Sequence, residues 1–151
     1  ILLILVCYKI YIILYDYVFN ISYLISAELV VDKAMELRYV GGVYAGNIKP
    51  TPFLCLTLKM LQIQPQKDIV IEFIRNEDFK YVRALGAYYM RLTGTSLDCY
   101  KYLEPLLNDY RLFLMRSTYY FFNETKMWQL IDISFTYGVL EIYYLYGVLS
   151  L

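Results

Sequence analysis

The charges of this 151-residue chain are concentrated in its middle, and that distribution limits what the chain can fold into. Residues 27–111 hold 21 of the 28 charged side chains and all four prolines. Residues 1–26 hold two charges, and residues 112–151 hold five. The middle segment therefore has the balance of a soluble domain, whereas both flanks are more apolar than ordinary globular sequence. We divide the chain into three segments at 26/27 and 111/112.

The first flank, residues 1–26, contains 21 apolar side chains and is long enough to suggest a membrane helix. Against this, Lys9 and Asp16 interrupt the run, each costing about 2.5–3.5 kcal/mol at a helix centre. The residues are mostly those that A/T-rich codons encode, and the aromatic-rich flank 112–151 has the same bias. We expect both flanks to be read-through of non-coding sequence, with uncertain structure. The alternative is a membrane-anchored helical protein with residues 1–25 as its span.

The composition also excludes several classes of function. The chain has no His and no net charge, which removes His-based catalysis and the electrostatic footprint of a nucleic-acid binder. Its three cysteines, Cys7, Cys55 and Cys99, form no CxxC pair, which favours free thiols in a reducing compartment. The chain begins at Ile1 rather than Met, so we expect a fragment or a conceptual translation. We predict neither an enzyme nor a cofactor or metal site.

Hydrophobic period and punctuation predict five or six short helices and no strand in residues 27–111. The first helix begins after Ser26 and stops at Gly41, and the second has Thr51 as N-cap and Pro52 at its first position and ends near Gln64. Pro65 opens the third helix, and Asn76 caps the fourth, which ends at Gly94. Thr95 to Asp98 resembles a capping box, with Asp in place of the usual Glu or Gln, and starts the fifth helix, which Pro105 interrupts. The predicted fold class is therefore all-α. A domain of this size is near the lower limit of stability, so we expect it to need neighbours.

The glycine-rich stretch 41–46 has the spacing of a phosphate loop but lacks its chemistry. Such a loop needs Lys after the last Gly and then Ser or Thr, whereas this chain has Asn47 and Ile48. We therefore predict a shaped loop between helices.

Two charged rows have competing interpretations. Glu28, Asp32 and Glu36 recur every four residues on the first helix, where like charges favour a basic partner. We favour a solvated face for this row over a basic partner, and a metal site is not expected because one helix face cannot by itself enclose a metal ion. A basic edge on the fourth helix combines Lys80, Arg83 and Arg91 with tyrosines, which could stack on RNA. Here too we favour a solvated face with local ion pairs.

Four short pieces of the middle segment carry a family resemblance. They are Gly41-Gly42-Val43-Tyr44, Asn47-Ile48-Lys49-Pro50-Thr51-Pro52-Phe53, Asn76-Glu77-Asp78-Phe79-Lys80-Tyr81 and Arg91-Leu92-Thr93-Gly94-Thr95. With the sequence around them, residues 27–111 closely resemble the pre-mRNA-splicing factor 38 family, its A-type members in particular. Ala45 and Leu107 are minor departures from the family pattern, and the flanks do not match it.

The resemblance implies a non-enzymatic helical scaffold of the spliceosome, located in the nucleus and needed for maturation of the precatalytic complex toward activation. Its implied partners are other spliceosomal proteins, associated with the precatalytic complex and the tri-snRNP, with RNA contact only within the assembly and no membrane. No cofactor is implied. We predict a protein-binding surface on the first helix, the loop after it and the start of the fourth helix. Its candidate residues are Glu28, Asp32, Glu36, Tyr44, Asn47, Lys49, Glu77, Asp78, Lys80 and Tyr81.

Overall fold

The computed structural model describes residues 26–44, 49–116, 123–127 and 129. These residues form five α-helices, one 3-10 helix and two small antiparallel sheets of two strands each. In chain order the elements are α1 (Ala27–Met35), β1 (Val43–Tyr44), β2 (Lys49–Pro50), α2 (Pro52–Ile63), α3 (Lys67–Arg75), α4 (Lys80–Thr93), α5 (Ser96–Leu103), the 3-10 helix (Glu104–Asn108), β3 (Leu112–Met115) and β4 (Asn123–Lys126).

Helix α1 ends at Met35, earlier than the predicted stop at Gly41. The residues after it leave the helix because Val40 pairs with the backbone of β3. The Val40 amide donates to the Leu114 carbonyl at 2.8 Å, and the Arg116 amide donates to the Val40 carbonyl at 2.9 Å. Hydrogen bonds to a distant strand therefore replace the last turn that the hydrophobic period predicted.

Helix α2 begins as predicted and runs through the middle of the core. The Thr51 hydroxyl accepts a hydrogen bond from the Leu54 amide at 3.3 Å, and Pro52 occupies the first helical position. Most of its side chains from Phe53 to Leu61 are buried. The helix ends where Gln64 adopts the left-handed conformation with φ of 50°. The predicted boundaries of this helix are confirmed.

Helices α3 and α4 pack against each other at close range. Gly86 of α4 permits this approach, because a Cβ there would lie 2.7 Å from the Phe73 Cβ. Both helices start later than predicted: α3 begins at Lys67 rather than Pro65, and α4 begins at Lys80 rather than directly after Asn76. Asn76 instead caps a turn, its Oδ1 accepting from the Phe79 amide at 2.9 Å.

Helix α5 confirms Thr95 as N-cap and the break at Pro105, but the second bond of the predicted capping box differs, because the Asp98 carboxylate accepts from the Thr95 hydroxyl rather than from the Thr95 backbone amide. The Thr95 hydroxyl oxygen accepts from the Asp98 amide at 3.3 Å and donates to the Asp98 carboxylate at 2.9 Å. The helix ends at Leu103, and Pro105 lies in the first turn of the 3-10 helix that follows. A proline here removes one amide donor, which a short 3-10 turn tolerates better than a continuing α-helix.

The fold is mostly helical, but the prediction of no strand in residues 27–111 is wrong at one place, where Val43 pairs with Pro50 in the first sheet. In the second sheet Leu112 to Met115 pair with Lys126 to Asn123, and these residues lie in the flank whose structure was left open. Strands of two and four residues carry too little alternation to be recognised from a sequence period. The number of helices, five α-helices and one 3-10 helix in the described part of the chain, agrees with the prediction of five or six.

One hydrophobic core joins the helices to the β3–β4 sheet. Val30, Leu85 and Phe113 are each fully buried in it, and so is Met127 directly after β4. Two side chains beyond residue 111 therefore complete the core of the helical domain. The separate origin of residues 1–26 and 112–151 stays a prediction, since most of both segments lies outside the described residues.

Candidate protein-docking surface

The predicted acidic row lies exposed along α1. Glu28, Asp32 and Glu36 all reach solvent. Glu36 is paired within the helix, because both its carboxylate oxygens accept from Lys33 Nζ, at 3.0 and 2.9 Å. Within the described residues, neither Glu28 nor Asp32 has a hydrogen-bond or ion-pair partner, so two carboxylates on this face are available to a basic partner.

Gly41 shapes the start of the loop after α1, in agreement with the prediction of a shaped loop there. Gly41 has φ of 149°, and a Cβ there would lie 2.2 Å from the Arg116 carbonyl oxygen, so only glycine fits. The Gly41 carbonyl accepts from the Thr51 hydroxyl at 2.5 Å, which ties the loop to the start of α2. Tyr44 and Lys49 are paired through their backbones in the β1–β2 sheet. Asn47 lies outside the described residues.

The candidates at the start of α4 divide into two kinds. Glu77 and Asp78 are exposed. Lys80 and Tyr81 instead bind other parts of the domain: Lys80 Nζ donates to the Leu112 carbonyl, and the Tyr81 hydroxyl donates to the Arg38 carbonyl, both at 2.6 Å. The Tyr81 ring also packs edge-on against Phe113, with centroids 5.7 Å apart, and burial raises the pKa of Tyr81. These two side chains hold β3 and the segment after α1 together.

A partly buried ion cluster joins the α3–α4 turn to the segment before β3, and the sequence did not indicate it. Asp109 Oδ2 lies 2.9 Å from Arg83 Nη1 and 2.6 Å from Arg111 Nη2. Hydrogen bonds from Arg111, and then from Arg83, hold the pKa of Asp109 well below its usual range. Arg83 also donates to the Asn76 carbonyl at 2.9 Å, and Arg111 to the Glu77 carbonyl at 2.6 Å. We call Arg83, Asp109 and Arg111 the arginine clasp.

The clasp changes the interpretation of the basic edge on α4. Only 13% of the Arg83 side chain is exposed, and Lys80 is bonded to β3. Two of the three cations predicted to form that edge therefore stabilise the fold, which leaves too little free positive charge for an RNA-stacking platform.

The two cysteines that the structure describes, Cys55 and Cys99, are buried in the core. Cys55 is buried on α2, and its burial raises the pKa of the thiol to about 12, so it stays protonated at neutral pH. Cys99 is buried against α4, with its Sγ 3.4 Å from the Met90 carbonyl oxygen. Among the described residues, no group of three or more acidic or cysteine side chains converges to hold a metal ion.

No helix within the described ranges is long and apolar enough to cross a membrane. The membrane span proposed for residues 1–25 lies outside those ranges and stays an untested alternative.

The fold is similar to a chain of known structure. That chain belongs to the crystal structure of the Snu23-Prp38-MFAP1(217-258) complex of Chaetomium thermophilum. The two share 42% sequence identity with a TM-score of 0.65, and the match covers 71% of this chain and 56% of the other. Identity at this level, together with the shared fold, indicates homology and points to a helical domain of the kind found in that complex.

Residues 6–135 match the PRP38 family, and the chain belongs to that family. Over 87 residues it is 85% identical to the Pre-mRNA-splicing factor 38A of Homo sapiens and to that of Bos taurus. The aligned part is 58% of this chain and 28% of each relative, so the chain spans about a quarter of the length of these relatives. The family resemblance predicted from the middle segment is confirmed, and the family match extends beyond it into both flanks.

Proposed function

We propose that this chain acts in the nucleus as a non-enzymatic docking scaffold of pre-mRNA splicing, in the maturation of the precatalytic spliceosome toward activation. The observation that carries the proposal is its 85% identity over 87 residues to Pre-mRNA-splicing factor 38A.

The proposed partners are other spliceosomal proteins of the precatalytic complex, associated with the tri-snRNP. The related Prp38 chain of known structure is in a complex with Snu23 and residues 217–258 of MFAP1. A segment of that size suits recognition by a helical domain, because a short amphipathic segment can lie along the exposed face of a helix. RNA would be contacted only within the larger assembly.

The proposed docking surface follows the exposed acidic side chains. Four carboxylates are exposed on this surface: Glu28 and Asp32 on α1, and Glu77 and Asp78 before α4. Within the described residues, Glu28, Asp32 and Asp78 have no hydrogen-bond or ion-pair partner, and Glu77 lies 3.8 Å from Arg83. A basic partner segment would relieve the like-charge repulsion along α1. Lys80 and Tyr81 support this surface by holding the adjacent backbone rather than by direct contact.

The test is copurification of tagged 151-residue chain with MFAP1 and Snu23 from nuclear extract, measured by immunoblot. The variant Glu28→Lys/Asp32→Lys reverses both unpaired charges of α1. Its matched control, Asp68→Lys/Glu72→Lys, reverses two exposed carboxylates at the same spacing on α3. Both proteins should be recovered with the wild type and the control, and recovery of at least one should fall with the α1 variant.

Two results would count against the proposal. If the wild-type chain recovers neither protein, the scaffold function itself fails. If the α1 variant and its control recover both proteins equally well, the acidic face is not the docking surface. Helical circular dichroism of each variant shows whether the fold is intact.

A further inference from the structure

We draw no further inference here: the strongest candidate, the exposed apolar patch that Leu97, Tyr100 and Leu107 form along α5 and the 3-10 helix, borders a groove lined by both Arg91 and Glu104, and nothing in the described residues shows what covers it.

Discussion

Replacing Asp109 by Asn tests whether the arginine clasp stabilises the fold. The Asp109 side chain is 7% exposed and accepts from Arg83 and Arg111 at 2.9 and 2.6 Å. Asn keeps the shape but removes the charge, which leaves the largely buried Arg83 without its close carboxylate. Breaking one side of a buried pair costs about 3–5 kcal/mol. Since Arg83 keeps its bond to the Asn76 carbonyl and Arg111 is 34% exposed, we expect a loss of about 2 kcal/mol.

Thermal unfolding followed by circular dichroism measures this loss. For a domain of this size, 2 kcal/mol corresponds to a Tm lower by about 8 °C. The matched control is Asp78→Asn, since Asp78 is an exposed carboxylate with no described partner. Its Tm should stay within about 2 °C of wild type, because isolated surface substitutions change stability by about 0.5 kcal/mol or less. Equal Tm values for the two variants would refute the stabilising role of the clasp.

The low pKa of Asp109 also predicts how the stability lost in Asp109→Asn changes with pH. The pKa of Asp109 is lower in the folded chain than in the unfolded one, where it is about 3.9. Its contribution is therefore fully present above about pH 4 and is lost as the pH falls toward the folded value. Between about pH 4 and pH 2 the stability difference between wild type and Asp109→Asn should shrink. If the stability difference between wild type and Asp109→Asn stayed constant over that range, the lowered pKa could not be assigned to the Asp109 carboxylate.

Three further predictions concern the loop, the sheet and a thiol. Gly41→Ala should lower stability by at least about 1–3 kcal/mol in chemical denaturation, because its φ of 149° and the Arg116 carbonyl exclude a Cβ; an unchanged midpoint would contradict that geometry. Phe113→Ala should cost about 3–5 kcal/mol, since the ring is fully buried, and a loss below about 1 kcal/mol would show that β3 is not part of the core. Cys55 should stay unmodified by maleimide in the native chain at pH 7.5 and react after denaturation, as peptide mass spectrometry can show; rapid native labelling would contradict its burial.

The helices with local start and stop signals could be predicted from the sequence. Thr51-Pro52 marks the start of α2, and Thr95 marks the start of α5 as its N-cap, because the hydrogen bonds involved span only three residues. The end of α1 could not be predicted, since it depends on Val40 pairing with a strand more than 70 residues away.

The candidate site could be predicted only in part for the same reason. The acidic row on α1 follows from its four-residue spacing, and its exposure agrees with a surface role. The roles of Lys80 and Arg83 depend on Leu112 and Asp109, which lie 32 and 26 residues further along the chain.

The central claim is that this domain takes part in spliceosome assembly, and the most direct measurement is its entry into assembled complexes. Tagged 151-residue chain would be added to a splicing-competent nuclear extract, and complexes formed on a pre-mRNA would be isolated at successive stages and probed for the tag. The account predicts enrichment in the precatalytic complex, reduced by Glu28→Lys/Asp32→Lys but not by Asp68→Lys/Glu72→Lys. A folded chain that is absent from pre-mRNA complexes at every stage would contradict it.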